Sequence, residues 1–311
     1  MSDSAPAQLG QNQNSARAGL PGRASEIFLS LPSLAWLVAF LVVPTLMVFA
    51  FAFRPADPYG GIGPGWTLGT LRQMANPNYP DIIWRTIWLS VAATIVCLLV
   101  SVPVGYCLAR IPPRWRQWAM LGVVIPFWTN FLIRVFAWKT ILHTNGSFRT
   151  FLVWIGALGE DQPLLYTSGA ILLVMVYTHL PFAILPLYAA AEKFDFNLLE
   201  AARDLGSSSV GAFMRVFLPG ISRGLVTAAI MVLVPCLGSY VIPDLVGGAS
   251  SEMIGNKIAQ YVYAERNLPR ASALSAILTV VVVALLLAFL YWSNRRAQDR
   301  KSGGIGLRGL K

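Results

Sequence analysis

The chain has 311 residues, of which 56% are apolar and only 12% are Asp, Glu, Lys or Arg. A soluble domain carries about a quarter charged residues, so this composition and the mean hydropathy of +0.60 exclude an ordinary soluble enzyme. The net charge of +10 is compatible with a nucleic-acid partner, but the basic residues lie in short loops between apolar runs, so we expect no nucleic-acid binding. The composition predicts an all-α integral membrane protein.

Six apolar segments are each long enough to cross about 30 Å of hydrocarbon, so the sequence predicts six transmembrane helices. The segments are Leu31–Phe53, Trp84–Ala109, Gln117–Leu142, Leu165–Ala190, Leu218–Val246 and Ala271–Trp292. A polar N-terminal tail over residues 1–25 is expected to be disordered. The domain prediction is therefore this tail, a six-span domain over residues 31–293 and a basic C-terminal tail over residues 294–311.

Small residues and cysteines lie inside the predicted spans. Ser101, Gly105 and Ala109 recur every four residues and predict a face on which a neighbouring helix packs closely. The three cysteines lack the spacing of a metal site, so we expect no disulfide, no metal and no cofactor. The sequence also lacks the motifs of hydrolases and metalloproteases, which argues against an intramembrane enzyme.

The distribution of basic residues predicts the orientation of the chain. More than half of the 24 Lys and Arg residues lie in the two tails, in the loop between spans two and three, and in the loop between spans four and five. Because positively charged loops stay in the cytoplasm, we expect both termini and the loop at residues 195–219 on the cytoplasmic side.

The 195–219 loop has the signals of two short helices. Asn197, with Glu200 three residues later, predicts a capping box at a helix start, and Gly206 suits the left-handed residue that ends the helix. Ser207–Ser209 can cap a second helix, which Pro219 would stop. Such a pair of helices either packs passively beneath the bundle or binds a partner protein.

Binding of a partner is favoured by small and polar residues in the first helix. Ala201 and Ala202 would let the groove of a partner approach within contact distance. Glu200, Arg203 and Asp204 would add polar contacts around that patch. The residues alone leave passive packing and partner binding open.

The spacing of these residues resembles a family motif. Glu200-Ala201-Ala202, then Gly206, then Val216 after nine further residues, and Leu218-Pro219 resemble the EAA loop of binding-protein-dependent ABC permeases. Val216 stands where isoleucine is usual. The resemblance implies a six-transmembrane-helix ABC importer permease bundle, whose cytoplasmic coupling helix sits in a cleft of the ATPase. The expected ATPase-coupling residues are Glu200, Ala201, Ala202 and Gly206, with the neighbouring Asp204.

The resemblance covers residues 30–293 and is closest to the spermidine and putrescine permease subgroup. It rests on the segments Pro126–Trp138, Asn145–Gly146, Leu180–Tyr188, Tyr240–Gly248 and Met253–Gly255. One departure is Ser239, which stands where several putrescine permeases carry an acidic residue. The resemblance implies import of polyamines across the bacterial inner membrane by alternating access, driven by ATP that another chain hydrolyses.

Several partners follow from the same resemblance. The chain has no Walker A motif, so we expect a separate cytoplasmic ABC ATPase dimer. A second homologous permease subunit, a periplasmic solute-binding protein and the membrane lipid complete the expected assembly. The alternatives are a permease for another small organic solute and a secondary transporter. A secondary transporter should show similarity between its two halves, and none is evident here.

A polyamine pathway needs carboxylates for the ammonium groups and aromatic faces for the methylene chain. Asp244, near the outer end of span five, is the best-placed carboxylate, with Ser239 and Tyr240 about one helical turn before it. Trp128 on span three and Tyr177 on span four are candidate aromatic contacts. Asp244 can equally be a helix-end or ion-pair residue, and both rings can serve ordinary helix packing.

Basic residues on the predicted spans include Arg134, Lys139 and His179. Arg134 and Lys139 fall near the outer end of span three, where long basic side chains can snorkel to lipid headgroups. Such positive charges would repel a polycation inside the pathway. His179 is a single histidine on an apolar helix, so we expect a satisfied core residue and not a proton relay.

Overall fold

A computed structural model describes residues 23–74, 78–156, 159 and 162–302. The regular elements of these residues are helices, and an isolated antiparallel bridge joins Ala56 to Ile62. The helices are α1 (Arg23–Leu37), α2 (Val43–Phe51), α3 (Gly69–Gln73), α4 (Asn78–Arg110), α5 (Pro113–Val124), α6 (Phe131–Leu142), α7 (Ser147–Trp154), α8 (Ser168–Glu192), α9 (Asn197–Asp204), α10 (Ser209–Ala212), α11 (Leu218–Gly220), α12 (Ser222–Leu237), α13 (Val241–Val246), α14 (Ile254–Tyr263) and α15 (Leu268–Ser302). The described chain therefore has the all-α architecture that its composition predicts.

Four helical segments of the described chain are long and apolar enough to cross a membrane. They are Ser30–Phe51, Tyr79–Arg110, Ser168–Glu192 and Leu268–Ala288. Two bent pairs raise the number to six if each pair counts as one span. The pairs are Pro113–Phe127 with Phe131–Trp154, bent by 80°, and Ser209–Gly220 with Ser222–Leu237, bent by 71°. The six predicted apolar segments overlap these six candidates.

The third candidate span is broken at a proline. Pro126 lies in a 3-10 turn over Ile125–Phe127, and a new helix starts where the Asn130 side chain accepts a hydrogen bond from the Leu132 N–H at 2.8 Å. Proline lacks the N–H that a helix interior needs, and asparagine is a favourable N-terminal cap. The predicted span Gln117–Leu142 is therefore two helices, α5 and α6, that meet at a steep angle.

The fifth candidate span ends earlier than its hydropathy predicts. Helix α12 stops at Leu237, and the apolar residues from Val241 onwards form the separate short helix α13. The prediction of one span over Leu218–Val246 is therefore wrong. Hydropathy measures only how apolar a segment is, so it cannot show that the helix is interrupted after Leu237.

Two wide helical turns precede prolines. In each π-helical turn, the N–H of the residue after the turn donates to the carbonyl five residues before it, and a proline follows that residue. The turns are Val38–Val42 before Pro44 and Phe213–Phe217 before Pro219. In a regular α-helix a proline ring collides with the carbonyl four residues before it, and the wider turn moves that carbonyl away.

Helices α4, α8 and α12 pack against one another and form the centre of the bundle. Gly105 of α4 lies so close to α8 that an added Cβ would stand 3.2 Å from the Tyr188 nitrogen and 3.3 Å from the Leu187 carbonyl carbon. Ser101 and Ala109, on the same face, are buried. These positions confirm the predicted small-residue face, which allows two helix backbones to approach closely.

A second glycine brings α12 against α8. A Cβ at Gly224 would collide with the Cβ of Ala190 and would lie 3.3 Å from the Pro186 carbonyl oxygen. Around this centre, α13 packs on α6 and α8, and α14 packs on α15. The helices that hold the centre together therefore depend on glycine at their crossings.

The described residues divide into two compact units, with the boundary between Ala50 and Phe51. In the first unit, the rings of Trp36 and Phe40 stack with their centroids 4.3 Å apart. Both side chains are exposed, at 68% and 65% of their surface. Exposed apolar side chains along a helical segment of this length suit the hydrocarbon of a bilayer.

The ends of the described chain bear on the two predicted tails. Helix α1 begins at Arg23, inside the predicted tail 1–25, and residues 1–22 lie outside the described residues. At the other end, α15 continues to Ser302, past the predicted boundary at residue 294, and residues 303–311 lie outside the described residues. The disorder expected for residues 1–22 stays a prediction.

Candidate functional site

The 195–219 loop forms two short helices, α9 and α10, as its residues predict. The N–H of Asn197 donates to Asp195 Oδ1 at 3.0 Å, so an aspartate two residues earlier satisfies the start of α9. The predicted capping box of Asn197 and Glu200 is therefore wrong. Ser208 Oγ accepts a hydrogen bond from the Gly211 N–H at 3.1 Å, which confirms a serine cap on the second helix.

Gly206 reverses the chain between these two helices. Its φ of +89° is left-handed, as the sequence predicts for the residue that ends the first helix. The N–H of Gly206 donates to the Arg203 carbonyl at 2.8 Å, and the N–H of Ser207 donates to the Ala202 carbonyl at 3.0 Å. The turn therefore satisfies carbonyl groups at the end of α9 that the helix itself leaves unpaired.

Replacing Gly206 by valine should destabilise the loop by about 1–2 kcal/mol, because a side chain with a Cβ is strained at this φ. Asparagine adopts left-handed conformations more readily, so Gly206→Asn should cost less. Apart from the adjoining residues, no part of the described chain lies within 4 Å of the added Cβ, so the difference reports backbone strain and not crowding. Limited proteolysis of the purified protein within residues 195–219 measures the effect. Equal cleavage rates for the two variants would contradict the expectation.

The loop has a buried face and an exposed face. Leu199 and Ala212 are buried, whereas Leu198, Leu205 and Met214 are 51%, 89% and 55% exposed. Of the predicted coupling residues, Ala202 is half-buried and the others are exposed, namely Glu200, Ala201, Asp204 and Gly206. Small, acidic and apolar groups therefore lie together on a surface that the described chain leaves uncovered.

Aromatic rings hold the loop against one end of α4. Tyr106 of α4 contacts the rings of Phe196, Phe213 and Phe217 edge-on, with centroid distances of 5.8, 5.3 and 5.0 Å. Phe194 lies 5.5 Å from Phe196 and 5.2 Å from Phe217. These five residues are called the aromatic cluster below. Edge-on ring pairs stabilise a fold by about 0.5–1.5 kcal/mol each beyond the burial of their area.

Basic residues near the same end bind aromatic and acidic groups. Arg110 Nη1 donates to the Tyr106 hydroxyl at 2.6 Å, and the Arg110 guanidinium lies over the rings of Tyr106 and Phe196 at 5.5 and 5.7 Å. Arg116 forms an ion pair with Glu192 at 2.7 Å, which joins the start of α5 to the end of α8. Sequence reasoning missed these contacts. The signal that could have revealed them is the density of phenylalanine in an otherwise polar loop.

Three predicted pathway residues lie beyond the far end of α12. Asp244 is exposed, and among the residues that the structure describes no ion pair or side-chain hydrogen bond engages its carboxylate. Tyr240 is 47% exposed and Ser239 is half-buried. A Cβ at Gly255 would collide with the Ser239 carbonyl oxygen, so α14 packs directly on the break between α12 and α13.

The two predicted aromatic contacts have different surroundings. Tyr177 is half-buried, and its ring centroid lies 5.7 Å from that of Phe127 and 5.3 Å from that of Trp138. Trp128 is 83% exposed at the bend between α5 and α6. Within the described ranges, no hydrogen bond or ring contact joins either residue to Asp244. The structure therefore does not bring the five predicted pathway residues into one contact network.

The polar residues on the spans point toward protein. The Arg134 guanidinium lies 4.8 Å from the Phe127 ring centroid. Its Nε and Nη1 atoms are buried, without a hydrogen-bond partner in the described part of the chain, so the side chain packs on a ring instead of extending to headgroups. His179 is buried and its Nδ1 lies 2.8 Å from the Met175 carbonyl oxygen, as expected of a satisfied core residue.

A polar cavity of about 410 Å³ lies at the end of α4 opposite the 195–219 loop. Its lining includes Tyr79, Asp81, Arg85, Glu252, Lys257 and Tyr261. The Tyr79 and Tyr261 hydroxyls hydrogen-bond to each other, and burial together with this bond raises the pKa of Tyr261. Sequence reasoning missed the cavity, because its residues come from the start of α4 and from the distant α14 region.

The fold and the loop together define an all-α membrane protein: a bundle of candidate spanning helices with a braced helical loop that presents an uncovered surface. The family is shown by a direct match. Residues 101–302 match the family described as the inner membrane component of binding-protein-dependent transport systems, and the chain belongs to that family. It is therefore a transport component of the inner membrane and not itself an enzyme.

Relatives and solved structures extend the match over most of the chain. The chain is 38% identical to the spermidine/putrescine transport system permease protein PotB of Haemophilus influenzae, over 86% of this chain and 93% of that protein. It is 34% identical to PotB of Escherichia coli, over 86% of this chain and 96% of that protein. A chain of a bacterial ABC transporter that imports the acidic polysaccharide alginate has the same fold, with a TM-score of 0.69 at 17% identity. That match covers 88% of this chain and 98% of the other.

Proposed function

We propose that the chain is a permease subunit of an ATP-driven importer of polyamines. The observation that carries the proposal is its 34–38% identity, over 86% of its length, to permeases named for spermidine and putrescine. Polyamines carry several positive charges, and an inside-negative membrane potential favours their entry by about 2.3 kcal/mol per charge per 100 mV. A weak, gated route through the permease is enough for such a cargo, which agrees with the few carboxylates on the spans.

The exposed face of the 195–219 loop is the proposed binding surface for a cytoplasmic ATPase dimer. Ala201 permits close approach, Glu200 and Asp204 offer charge, and Leu198 and Leu205 offer apolar area. A second homologous permease subunit and a periplasmic solute-binding protein complete the proposed importer. Most Lys and Arg residues lie in the two tails and in the loops on the same side of the predicted membrane as the 195–219 loop. This distribution supports a cytoplasmic position for both termini.

The proposed substrate route includes Asp244 at its outer end. The carboxylate of Asp244 is exposed and lacks an ion-pair partner in the described part of the chain, so it is available to an ammonium group. Tyr240 and Ser239 lie about one helical turn before it, and the N–H of Asp244 donates to the Tyr240 carbonyl at 3.0 Å. Trp128 and Tyr177 are proposed as aromatic contacts further along the route.

Asp244→Asn should raise the polyamine concentration for half-maximal uptake about tenfold, because a carboxylate–ammonium contact loses its charge while the side chain keeps its shape. Uptake of labelled putrescine and spermidine measures the effect. Glu265→Gln is the matched control, since its exposed ion pair with Arg270, at 3.8 Å, contributes little. Unchanged uptake by Asp244→Asn would remove this residue from the route.

The cargo is tested in proteoliposomes that hold this chain with its co-purified permease, ATPase and binding protein. Spermidine or putrescine should stimulate ATP hydrolysis and accumulate inside the vesicles, and unlabelled polyamine should compete. If neither polyamine stimulates ATP hydrolysis or accumulates, while another organic solute does accumulate, the chain is a permease for that solute. If accumulation continues without ATP and follows an ion gradient, the chain is a secondary transporter.

A further inference from the structure

We propose that Tyr106 is a positioning residue that joins the 195–219 loop to α4, so that the loop and α4 move as one rigid body when the ATPase changes conformation. The proposal rests on the proposed function, in which this loop binds the ATPase. It concerns a contact inside the permease and not the ATPase surface itself.

Tyr106 contacts both ends of the loop. Phe196 directly precedes α9, whereas Phe213 and Phe217 belong to the wide turn after α10, and all three rings meet Tyr106 edge-on within 5.8 Å between centroids. Chain connectivity attaches the loop to α8 at one end and to α12 at the other. Tyr106 therefore supplies an additional, non-covalent attachment to a third helix of the bundle centre.

The aromatic cluster leaves little room for the loop to slide on α4. Phe217 has 0% of its surface exposed. A Cβ at Gly220 would collide with the Phe194 ring, so the backbone at Gly220 is already in contact with the cluster. Packed interiors are close to crystalline density and shift between discrete arrangements instead of deforming continuously. A displacement of the loop is therefore transmitted to the helix on which the cluster packs.

Arg110 fixes the orientation of the Tyr106 ring. It donates a hydrogen bond to the Tyr106 hydroxyl at 2.6 Å, and its guanidinium lies over the rings of Tyr106 and Phe196. Cation–π contacts of this kind favour one placement of the charge over the ring face. One basic side chain of α4 thus contacts a ring of α4 and a ring of the loop together.

The route through Tyr106 is mechanically more direct than the covalent route into α12. The loop enters α12 across a bend of 71°, whereas α4 is one helix from Asn78 to Arg110 that continues through Pro103. At 1.5 Å per residue, α4 extends about 40 Å from Tyr106 to Tyr79 at the polar cavity. A rigid displacement of the loop would therefore reach the opposite end of the bundle through α4.

The test compares Tyr106→Leu with Tyr106→Phe in the reconstituted importer. The leucine variant removes the ring contacts and the hydrogen bond, whereas the phenylalanine variant keeps every ring contact. We expect Tyr106→Leu to retain the ATPase and to hydrolyse ATP, while polyamine imported per ATP falls about fivefold or more. Tyr106→Phe should stay close to the wild-type ratio. An unchanged ratio in Tyr106→Leu, or a loss of bound ATPase in parallel with transport, would overturn the proposal.

A cross-link supplies an independent test. In a Cys107→Ser background, Tyr106→Cys and Phe213→Cys are bridged by a short bifunctional thiol reagent. Because the loop and α4 are proposed to move together, bridging should restore the transport lost in the unbridged pair. Transport abolished by bridging would mean that the two elements move apart, and the proposal would be wrong. If the wild-type importer accumulates another organic solute and neither polyamine, the proposed cargo is wrong, and import of that solute per ATP still reports on Tyr106.

Discussion

Glu200→Arg should lower the amount of substrate imported per ATP hydrolysed about tenfold or more, while the protein still inserts into the membrane. Glu200 is exposed on α9, and its charge contributes to no ion pair within the described chain, so reversal does not damage the fold of the loop. The effect arises instead at the proposed ATPase surface, where a buried and mismatched charge costs several kcal/mol. Co-purification of the ATPase and vesicle uptake together measure it.

The matched control for Glu200→Arg is Glu265→Arg, which changes the net charge by the same amount at a site outside the 195–219 loop. The ion pair that Glu265 forms with Arg270 is exposed and 3.8 Å long, so reversal of the Glu265 charge should leave transport nearly unchanged. Glu200→Gln should give an intermediate result, because it removes the charge without reversing it. Wild-type uptake by Glu200→Arg would count against the docking role of the loop.

Gly224→Leu should destabilise the folded protein by about 3 kcal/mol or more, which is the upper range for overpacking a tight interior. The reason is steric, since even a Cβ at this position collides with the Ala190 Cβ and lies 3.3 Å from the Pro186 carbonyl oxygen. Helices α8 and α12 would have to separate at the centre of the bundle. The yield of monodisperse protein in detergent, and its thermal unfolding temperature, measure the loss.

Gly122→Leu is the control for that substitution. Gly122 lies in α5, another helix of the predicted spans, but outside its own helical turn no described atom lies within 4 Å of its added Cβ. The same change in residue type should therefore leave the yield and the unfolding temperature close to those of the wild type. Equal destabilisation by both leucine variants would show that crowding between α8 and α12 does not control the response, because leucine favours a helix more than glycine does at either position.

The parts of the fold that depend on local sequence could be predicted. Apolar length marks the spans wherever a helix is continuous, and the left-handed turn at Gly206 follows from a residue type that tolerates positive φ. The serine cap at Ser208 is equally local. Competition between neighbouring groups is harder to judge. The Asn197 N–H donates to Asp195, whereas the predicted capping box assigned that hydrogen bond to the Glu200 side chain.

The parts that depend on distant residues could not be predicted. Tyr106 meets Phe213 only because α4 and the loop end at the same side of the bundle, and nothing local to either residue encodes that meeting. The polar cavity between α4 and the α14 region is hidden for the same reason. A proline such as Pro126 indicates where a helix can bend. The angle of 80° depends on how the helical segments on both sides of the bend pack.

The wide turn at Phe213–Phe217 has a consequence for the comparison of related chains. A π-helical turn holds one residue more than the α-helical turn that it replaces. A relative without a proline equivalent to Pro219 can therefore be one residue shorter here and still present the same groups on both sides. A single-residue gap between Ala212 and Leu218 in an alignment of such chains is then structurally neutral, and forcing the columns together there would misassign the side chains that follow.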